Sequence, residues 1–254
     1  VTLNGIEISQ NNHHFILFNN QFVLSRSDNY IDKFDVLHFG IPNVEEVVIP
    51  AQVISIQEYS FHSMNRNKKL KSIKFEENSE LKSIESWAFD YAEIEDLSIP
   101  ASVECIGERS FKGNSKLKSV RFPINSKLKR ICDEAFCKCN LESIFIPASV
   151  EYLEAFFQYN INLLKIEVSP ENKFFKLIDE NYIVMESEHG SGVFDAIFFC
   201  RRDIESIIIP SYIKVIKKFA FDSCKQLKNI TFESNSKLEL IEEFAFQGIL
   251  SEKL

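Results

Sequence analysis

Leu141-Glu142-Ser143-Ile144-Phe145-Ile146-Pro147-Ala148-Ser149-Val150-Glu151-Tyr152-Leu153 contains two phrases. The first is apolar-x-x-apolar-x-apolar, closed by Pro. The second is apolar-x-x-apolar. The first phrase recurs nine times, beginning at Leu3, Val44, Leu70, Ile94, Leu117, Leu141, Leu163, Ile204 and Leu227. In four copies it closes as Ile-Pro: Ile49-Pro50, Ile99-Pro100, Ile146-Pro147 and Ile209-Pro210. Self-similarity at a period of about 20–29 residues predicts a solenoid, in which each unit buries its apolar face only against its neighbours.

Each phrase has a physical assignment. The fourth and sixth residues of the leading phrase point inward at period two, which predicts a short strand. Pro lacks the ladder donor and turns the chain. The second phrase seats a returning arm, and a Phe after Ala or Ser closes the coil, as in Ser110-Phe111 and Ala135-Phe136. Many of the 24 Phe are thereby core residues. Three other copies replace Ile-Pro by Phe and a longer loop containing Asn-Ser: Phe75 with Asn78-Ser79, Phe122 with Asn125-Ser126, and Phe232 with Asn235-Ser236. The two kinds of coil alternate, so the higher-order unit is two coils.

Residues 141–150, 94–111 and 204–221, with Cys224 three positions later, resemble the BspA-like leucine-rich repeats, whose units read approximately LxxIxIPxxVxxIgxxAFxxC. The resemblance runs over essentially the whole chain. It implies a leucine-rich repeat solenoid of α/β horseshoe type, rich in β-structure. A concave parallel sheet of about nine coils is expected, with turns or brief helices on the other side. Nine coils at ~4.8 Å span roughly 45 Å. The resemblance also implies a surface protein, as in mucosal bacteria and protozoan parasites, that adheres to host matrix or to other cells.

Residues 1–254 read as one array, an excised fragment of a longer protein whose caps or anchors lie elsewhere. Residues 3–61 match 163–221 position by position, 160 residues apart. In both copies two apolar runs are separated by polar loops: Phe22–Ser25 with Phe34–Phe39, and Tyr182–Met185 with Phe194–Phe199. Each pair predicts an inserted β-hairpin. The turn-rich loop Glu188-His189-Gly190-Ser191-Gly192 is expected to be mobile.

A net charge of −8 without a basic cluster disfavours a nucleic-acid surface. No apolar run reaches the ~18 residues of a membrane span. The six Cys, at 105, 132, 137, 139, 200 and 224, fit no zinc spacing and no disulfide framework. They read as structural thiols, with a disulfide or a metal role left as alternatives. The five His are scattered, and seven Gly scarcely supply a phosphate loop, so neither catalysis nor a cofactor is expected. Asn229-Ile230-Thr231 is a glycosylation acceptor by sequence, usable on a eukaryotic secretory route.

Two outward columns remain. The second residue of the phrase reads Glu45, Lys71, Glu95, Lys118, Glu142, Leu164, Glu205, Lys228, so opposite charges become lateral neighbours. The fifth reads Glu7, Val48, Lys74, Ser98, Arg121, Phe145, Glu167, Ile208, Thr231. Exposed apolar groups interleaved with Arg and Lys are interface chemistry. Val48, Lys74, Arg121, Phe145, Glu167 and Ile208 are therefore the candidate partner-binding residues. A plain solvated sheet face is the competing reading. The expected function is a non-enzymatic adhesion or recognition module at the cell surface, binding a host-matrix or cell-surface protein through the concave face. The alternative is a cytoplasmic scaffold.

Overall fold

The computed structural model describes residues 7–9, 11–28, 33–40, 44–62, 70–178, 182–186, 189 and 191–249. The chain winds as a β-solenoid. Eight leading phrases form strands: Glu46–Ile49, Ser72–Phe75, Leu97–Ser98, Val120–Arg121, Ser143–Ile146, Lys165–Val168, Ser206–Ile209 and Asn229–Phe232. Most of the ninth copy, at 3–8, lies outside the described residues. Alternation is as the phrase requires: Val47 and Ile49 are buried while Glu46 and Val48 face out.

The leading strands pair two by two, in parallel: Glu46–Ile49 with Ser72–Phe75, Leu97–Ser98 with Val120–Arg121, Ser143–Ile146 with Lys165–Val168, and Ser206–Ile209 with Asn229–Phe232. Between pairs, among the described residues, the strand pairing falls to an isolated bridge from Ser72 to Asp96 and to single backbone bonds such as Glu142 N to Lys118 O. Proline explains the rhythm. Within three pairs the residue after the second strand donates its N–H to the closing Ile of the first: Glu76 to Ile49, Ser169 to Ile146, Glu233 to Ile209. Across the breaks the equivalent donors would be Pro100, Pro147 and Pro210, which have no N–H. Pro123 stands at that place inside the remaining pair, and there the strands shrink to two residues each.

The longest sheet is the returning one. Its eight strands run in the order Phe15–Phe18, Phe22–Ser25, Val36–Gly40, Ser55–Ile56, Ser83–Ile84, Cys105–Ile106, Arg130–Ile131, Tyr152–Leu153. A second sheet of five orders Phe175–Ile178, Tyr182–Glu186, Phe194–Cys200, Val215–Ile216 and Leu240–Ile241. Each opens with a three-stranded antiparallel insertion whose third strand pairs in parallel with a return strand. The expected hairpins are present, each enlarged by an outer strand at Phe15–Phe18 or Phe175–Ile178.

No helix occurs among the described residues; of the turns or brief helices expected on the return side, turns are what the chain forms. The chain turns there on residues in the left-handed region, Tyr59, Trp87, Arg109, Glu134, Phe219 and Phe244, at φ between 54° and 60°. Each immediately precedes the small residue and the Phe. A left-handed non-Gly residue costs about 1–2 kcal/mol, which the packing of the following Phe must offset.

That packing is a column of rings. Phe61, Phe89, Phe111 and Phe136 stack at centroid separations of 4.8, 5.2 and 5.3 Å, with planes within 7°. Phe22, from the first insertion, closes the column edge-on at 6.3 Å from Phe61. Gly40 is required beside it, because a Cβ there would lie 1.8 Å from the Phe61 ring. Three residues beyond the Phe, buried Asn114 donates to Phe89 O and Phe111 O and accepts from Ile94 N. Asn160 repeats the motif with Phe136 O, Phe157 O and Leu141 N. The buried Cys139 thiol reaches Phe111 O at 3.2 Å from the same place. Met64, read from sequence as the equivalent residue of an earlier coil, lies outside the described residues.

The turn residues form an outer ladder. Tyr59 stacks on Trp87 at 6.1 Å, and the Arg109 guanidinium lies 4.6 Å from the Trp87 ring. Arg109 also grips Glu134 through Nε and Nη2, both at 3.0 Å, and Lys112 adds a second cation to that carboxylate. The Arg109 hydrogen bonds, aided by Lys112, hold the Glu134 carboxyl down to about 2.

Phe111→Ala is expected to lower unfolding free energy in urea by about 3–5 kcal/mol, since its neighbours on both sides cannot close the gap. Ile124→Ala, at a side chain 97% exposed, should change it by less than about 0.5 kcal/mol. Glu134→Gln should cost about 1–2 kcal/mol at pH 7, a depressed carboxyl discounted for partial solvent screening. A folded-state value below the unfolded one contributes fully above about pH 4.5 and fades as pH falls toward 2. Urea titrations at pH 7 and at pH 2–3 should therefore show the wild-type and variant curves converging in acid.

Candidate functional site

The fifth-position column sits on the outer side of the leading strands, and register sets its neighbours. Val48 lies beside Lys74, Ser98 beside Arg121, Phe145 beside Glu167, and Ile208 beside Thr231. Val48 is 41% and Ile208 62% exposed, while Phe145 is half-buried. Four of the six candidate residues are thus neighbours within pairs of coils, Val48 with Lys74 and Phe145 with Glu167, while Arg121 and Ile208 stand beside Ser98 and Thr231, so the six do not form one uninterrupted patch.

Their charges are already engaged. Lys74 reaches Glu46 at 2.8 Å, and Glu167 meets Lys165 at 3.1 Å. Arg121 places Nη2 at 2.6 Å from Asp96 Oδ2 and donates Nε to Ser98 Oγ at 2.9 Å. Its hydrogen bonds hold the Asp96 carboxyl below the usual range. The effect is positional: a flexible Arg becomes a fixed, oriented fork. In the second-position column Glu45–Lys71, Lys118–Glu142 and Glu205–Lys228 pair laterally at 3.2, 2.8 and 2.9 Å. Glu95 departs from the sequence expectation and pairs with Lys116. Such solvated pairs favour register only weakly.

Between the first two pairs of leading strands lies an open notch of about 710 Å³. Its origin is loop length. The chain takes four residues from Ile99 to Val103, but six from Phe75 to Leu81 and six from Phe122 to Leu128. The two long Asn-Ser loops therefore rise on either side of the short Ile99-Pro100 turn. Lys74, Ser98, Arg121 and Lys127 line the notch, with Asn78 and Asn125 from the two loops. The break left by Pro100 opens its floor.

Sequence reasoning missed the outer ladder of Tyr59, Trp87, Arg109 and Glu134. The signal was available as a column: the residue before each Ala/Ser-Phe is aromatic in four coils (Tyr59, Trp87, Phe219, Phe244). Beside this ladder His62 Nε2 lies 2.9 Å from Asp90, both side chains buried. Burial raises the Asp90 carboxyl, against the pull of His62. No group of three metal-ligating side chains occurs among the described residues. What both surfaces offer is recognition chemistry: fixed guanidinium groups, aromatic faces and amides. In the 188–192 loop, where 188 and 190 lie outside the described residues, His189 stacks between Tyr152 at 4.8 Å and Phe174 at 4.9 Å. Asn229 of the glycosylation sequence is exposed at the start of its strand. No helix among the described residues is long and apolar enough to cross a membrane.

No curated protein sequence matches the chain. Among solved structures it is similar to the pneumococcal vaccine antigen PcpA, with a TM-score of 0.68 and 29% identity over 80% of this chain. It spans 48% of that antigen's length. A leucine-rich repeat protein of Eubacterium ventriosum matches with a TM-score of 0.62 and 17% identity, over 92% of this chain and 63% of that one. A leucine-rich cell surface protein of Faecalibacterium prausnitzii matches with 0.55 and 19%, over 90% and 74% respectively. These last two likenesses concern the fold alone. The model of the BspA type leucine rich repeat region matches residues 37–174 and 193–254 in six copies. With that match over most of its length, the chain belongs to the BspA-type leucine-rich repeat family.

Proposed function

We propose that this chain is a non-enzymatic adhesion or recognition module of a surface protein. It binds a host-matrix or cell-surface protein across its leading-strand face, the face read from sequence as concave. The observation that carries the reading is the fixed notch, where Asp96 and Ser98 hold Arg121 open to solvent beside Lys74. Val48, Phe145 and Ile208 extend apolar contact along the same face. Side chains ordered before the partner arrives lose less entropy on association. Arg beside exposed aliphatic and aromatic groups is the composition of binding hot spots. Membership in a repeat family of binding proteins supports the reading, and so does the likeness to a pneumococcal antigen and a bacterial cell surface protein.

The double variant Phe145→Asp with Arg121→Glu tests it, by biolayer binding to immobilised matrix proteins and by attachment to host cells. At least a tenfold loss with an unchanged circular dichroism spectrum and melting temperature is expected, about 1.4 kcal/mol or more. Full binding by the folded variant would move the site away from the leading strands.

A further inference from the structure

The first return sheet stops at Tyr152–Leu153, and the return strand of the next coil, Phe194–Cys200, belongs to the other sheet. In earlier coils the carbonyls of one return strand accept N–H groups from the next: Lys129 O from Glu151 N, and Ile131 O from Glu154 N. The equivalent carbonyls of the last strand, Glu151 O and Leu153 O, accept no bond among the described residues. Beside this open edge lies a pocket of about 310 Å³. Leu153, Ala155, Met185 and Phe198 give it an apolar lining. Asp133 and Glu154 flank it from the coils before the break, and Lys217, Lys218 and Glu242 from the coils after it.

The charges of the pocket are unevenly satisfied. Both lysines are engaged, Lys217 Nζ at 2.7 Å from Glu242 and Lys218 Nζ at 3.5 Å from Glu243. The two carboxylates are not. Glu154 accepts the Asp133 N–H and Asp133 accepts Gln158 Nε2 at 3.3 Å, but neither has an ion-pair partner among the described residues. Gln158 is 1% exposed, and its Oε1 meets no donor. It lines a smaller hollow that shares Ala155, Phe198 and Lys218 with the pocket. Acceptors thus outnumber free donors on every side, over a floor of apolar groups.

We propose that this pocket binds an arginine side chain carried on an extended segment of a partner protein. A guanidinium presents five N–H donors in a planar fork and accepts none, which complements two unpaired carboxylates and a buried amide oxygen. Its methylene stem suits Leu153, Ala155 and Met185, and its plane packs on an aromatic ring such as Phe198. The backbone of the same segment runs along the open strand edge and donates to Leu153 O, as strands are added to exposed sheet edges. A lysine ammonium is compact and strongly hydrated and does not fork between two carboxylates. An acidic segment is repelled by both. This surface belongs to the return side and stands independently of binding at the leading strands.

Isothermal titration of the full chain with the blocked pentapeptide Ac-Thr-Val-Arg-Val-Thr-NH2, and with its citrulline counterpart, tests this. The arginine peptide is expected to bind, and the citrulline peptide, which keeps the shape and loses the charge, at least about tenfold more weakly. Asp133→Asn with Glu154→Gln should weaken the arginine peptide by a similar factor with an unchanged melting temperature, because both amides keep an acceptor oxygen for Gln158 Nε2 and Asp133 N. Should that variant misfold, methionine-methyl NMR of the isotope-labelled chain takes its place. The chain holds two Met, so the Met185 resonance is assigned by comparison with Met64→Leu, and it should move on addition of the arginine peptide. No binding, equal binding of the citrulline peptide, full binding by the folded double variant, or binding that leaves the Met185 resonance in place would each overturn the proposal.

Discussion

The stacked phenyl rings set the distance at which one coil can follow another. Offset aromatic faces pack best with centroids about 4.5–7 Å apart, and parallel strands repeat at ~4.8 Å. The two spacings are compatible, so a Phe at the same corner of each coil can pack against its neighbours without straining the ladder. The polar side of the same corner obeys the repeat too. Asn114 and Asn160 pair backbone groups that the turn would otherwise leave buried and unpaired, with three bonds from Asn114 and four from Asn160. Ring and amide together make a left-handed, non-glycine turn tolerable, which is why the corner needs no helix.

On the opposite side the constraint is a missing donor. A proline after every second leading strand interrupts the ladder at a fixed interval, while five return strands, with no such proline, continue unbroken from the first insertion to Tyr152–Leu153. The solenoid is therefore continuous along one side and segmented along the other. The alternation of coils places long Asn-Ser loops on either side of the short Ile99-Pro100 turn, and the notch with Arg121 follows from it. Local turn chemistry thus shapes a face on which charged and apolar side chains are both held out to solvent in register.

Much of this is legible in the residues themselves. Period-two burial in the leading phrase and the Phe at each corner are local patterns repeated often enough to be unmistakable. Other features need register across coils. The strands Phe15–Phe18 and Phe175–Ile178 escape because they are outer strands of insertions, where one side lacks a partner and burial does not alternate cleanly. The Trp87 ladder joins positions that the repeat leaves variable, and its contacts span 22 to 28 residues of chain. Cys105 and Cys132 come to one outer face only through the parallel register of their strands. Brief helices were a family expectation, and Ala or Ser before Phe carries no glycine to betray the left-handed turn.

One irregular coil shows how strictly the corner is specified. Backbone N–H groups of Arg109, Phe111 and Gly113 bond to the carbonyls of Asp133, Ala135 and Cys137, but those of Glu134, Phe136 and Lys138 bond to Ala155, Phe156 and Gln158. One residue is missing between Ala155 and Phe156, at the place of the left-handed turn. Phe156 consequently stands where other coils have Ala or Ser, and it meets Phe136 edge-on at 6.4 Å instead of continuing the stack. The return sheet ends at the same coil, with Tyr152–Leu153 as its last strand. The second insertion bridges the interruption: Phe198 and Phe199 pack with the first core, while Ile197 and Cys200 pack with the second. Buried Arg202 seals the junction, its guanidinium 4.3 Å from the Phe199 ring and 5.7 Å from Phe157, with one N–H on Ala220 O. The shortened corner thus ends the ring stack and the return sheet, while the first apolar core continues through Leu163, Ile166 and Phe175 to the second insertion, where it meets the second core.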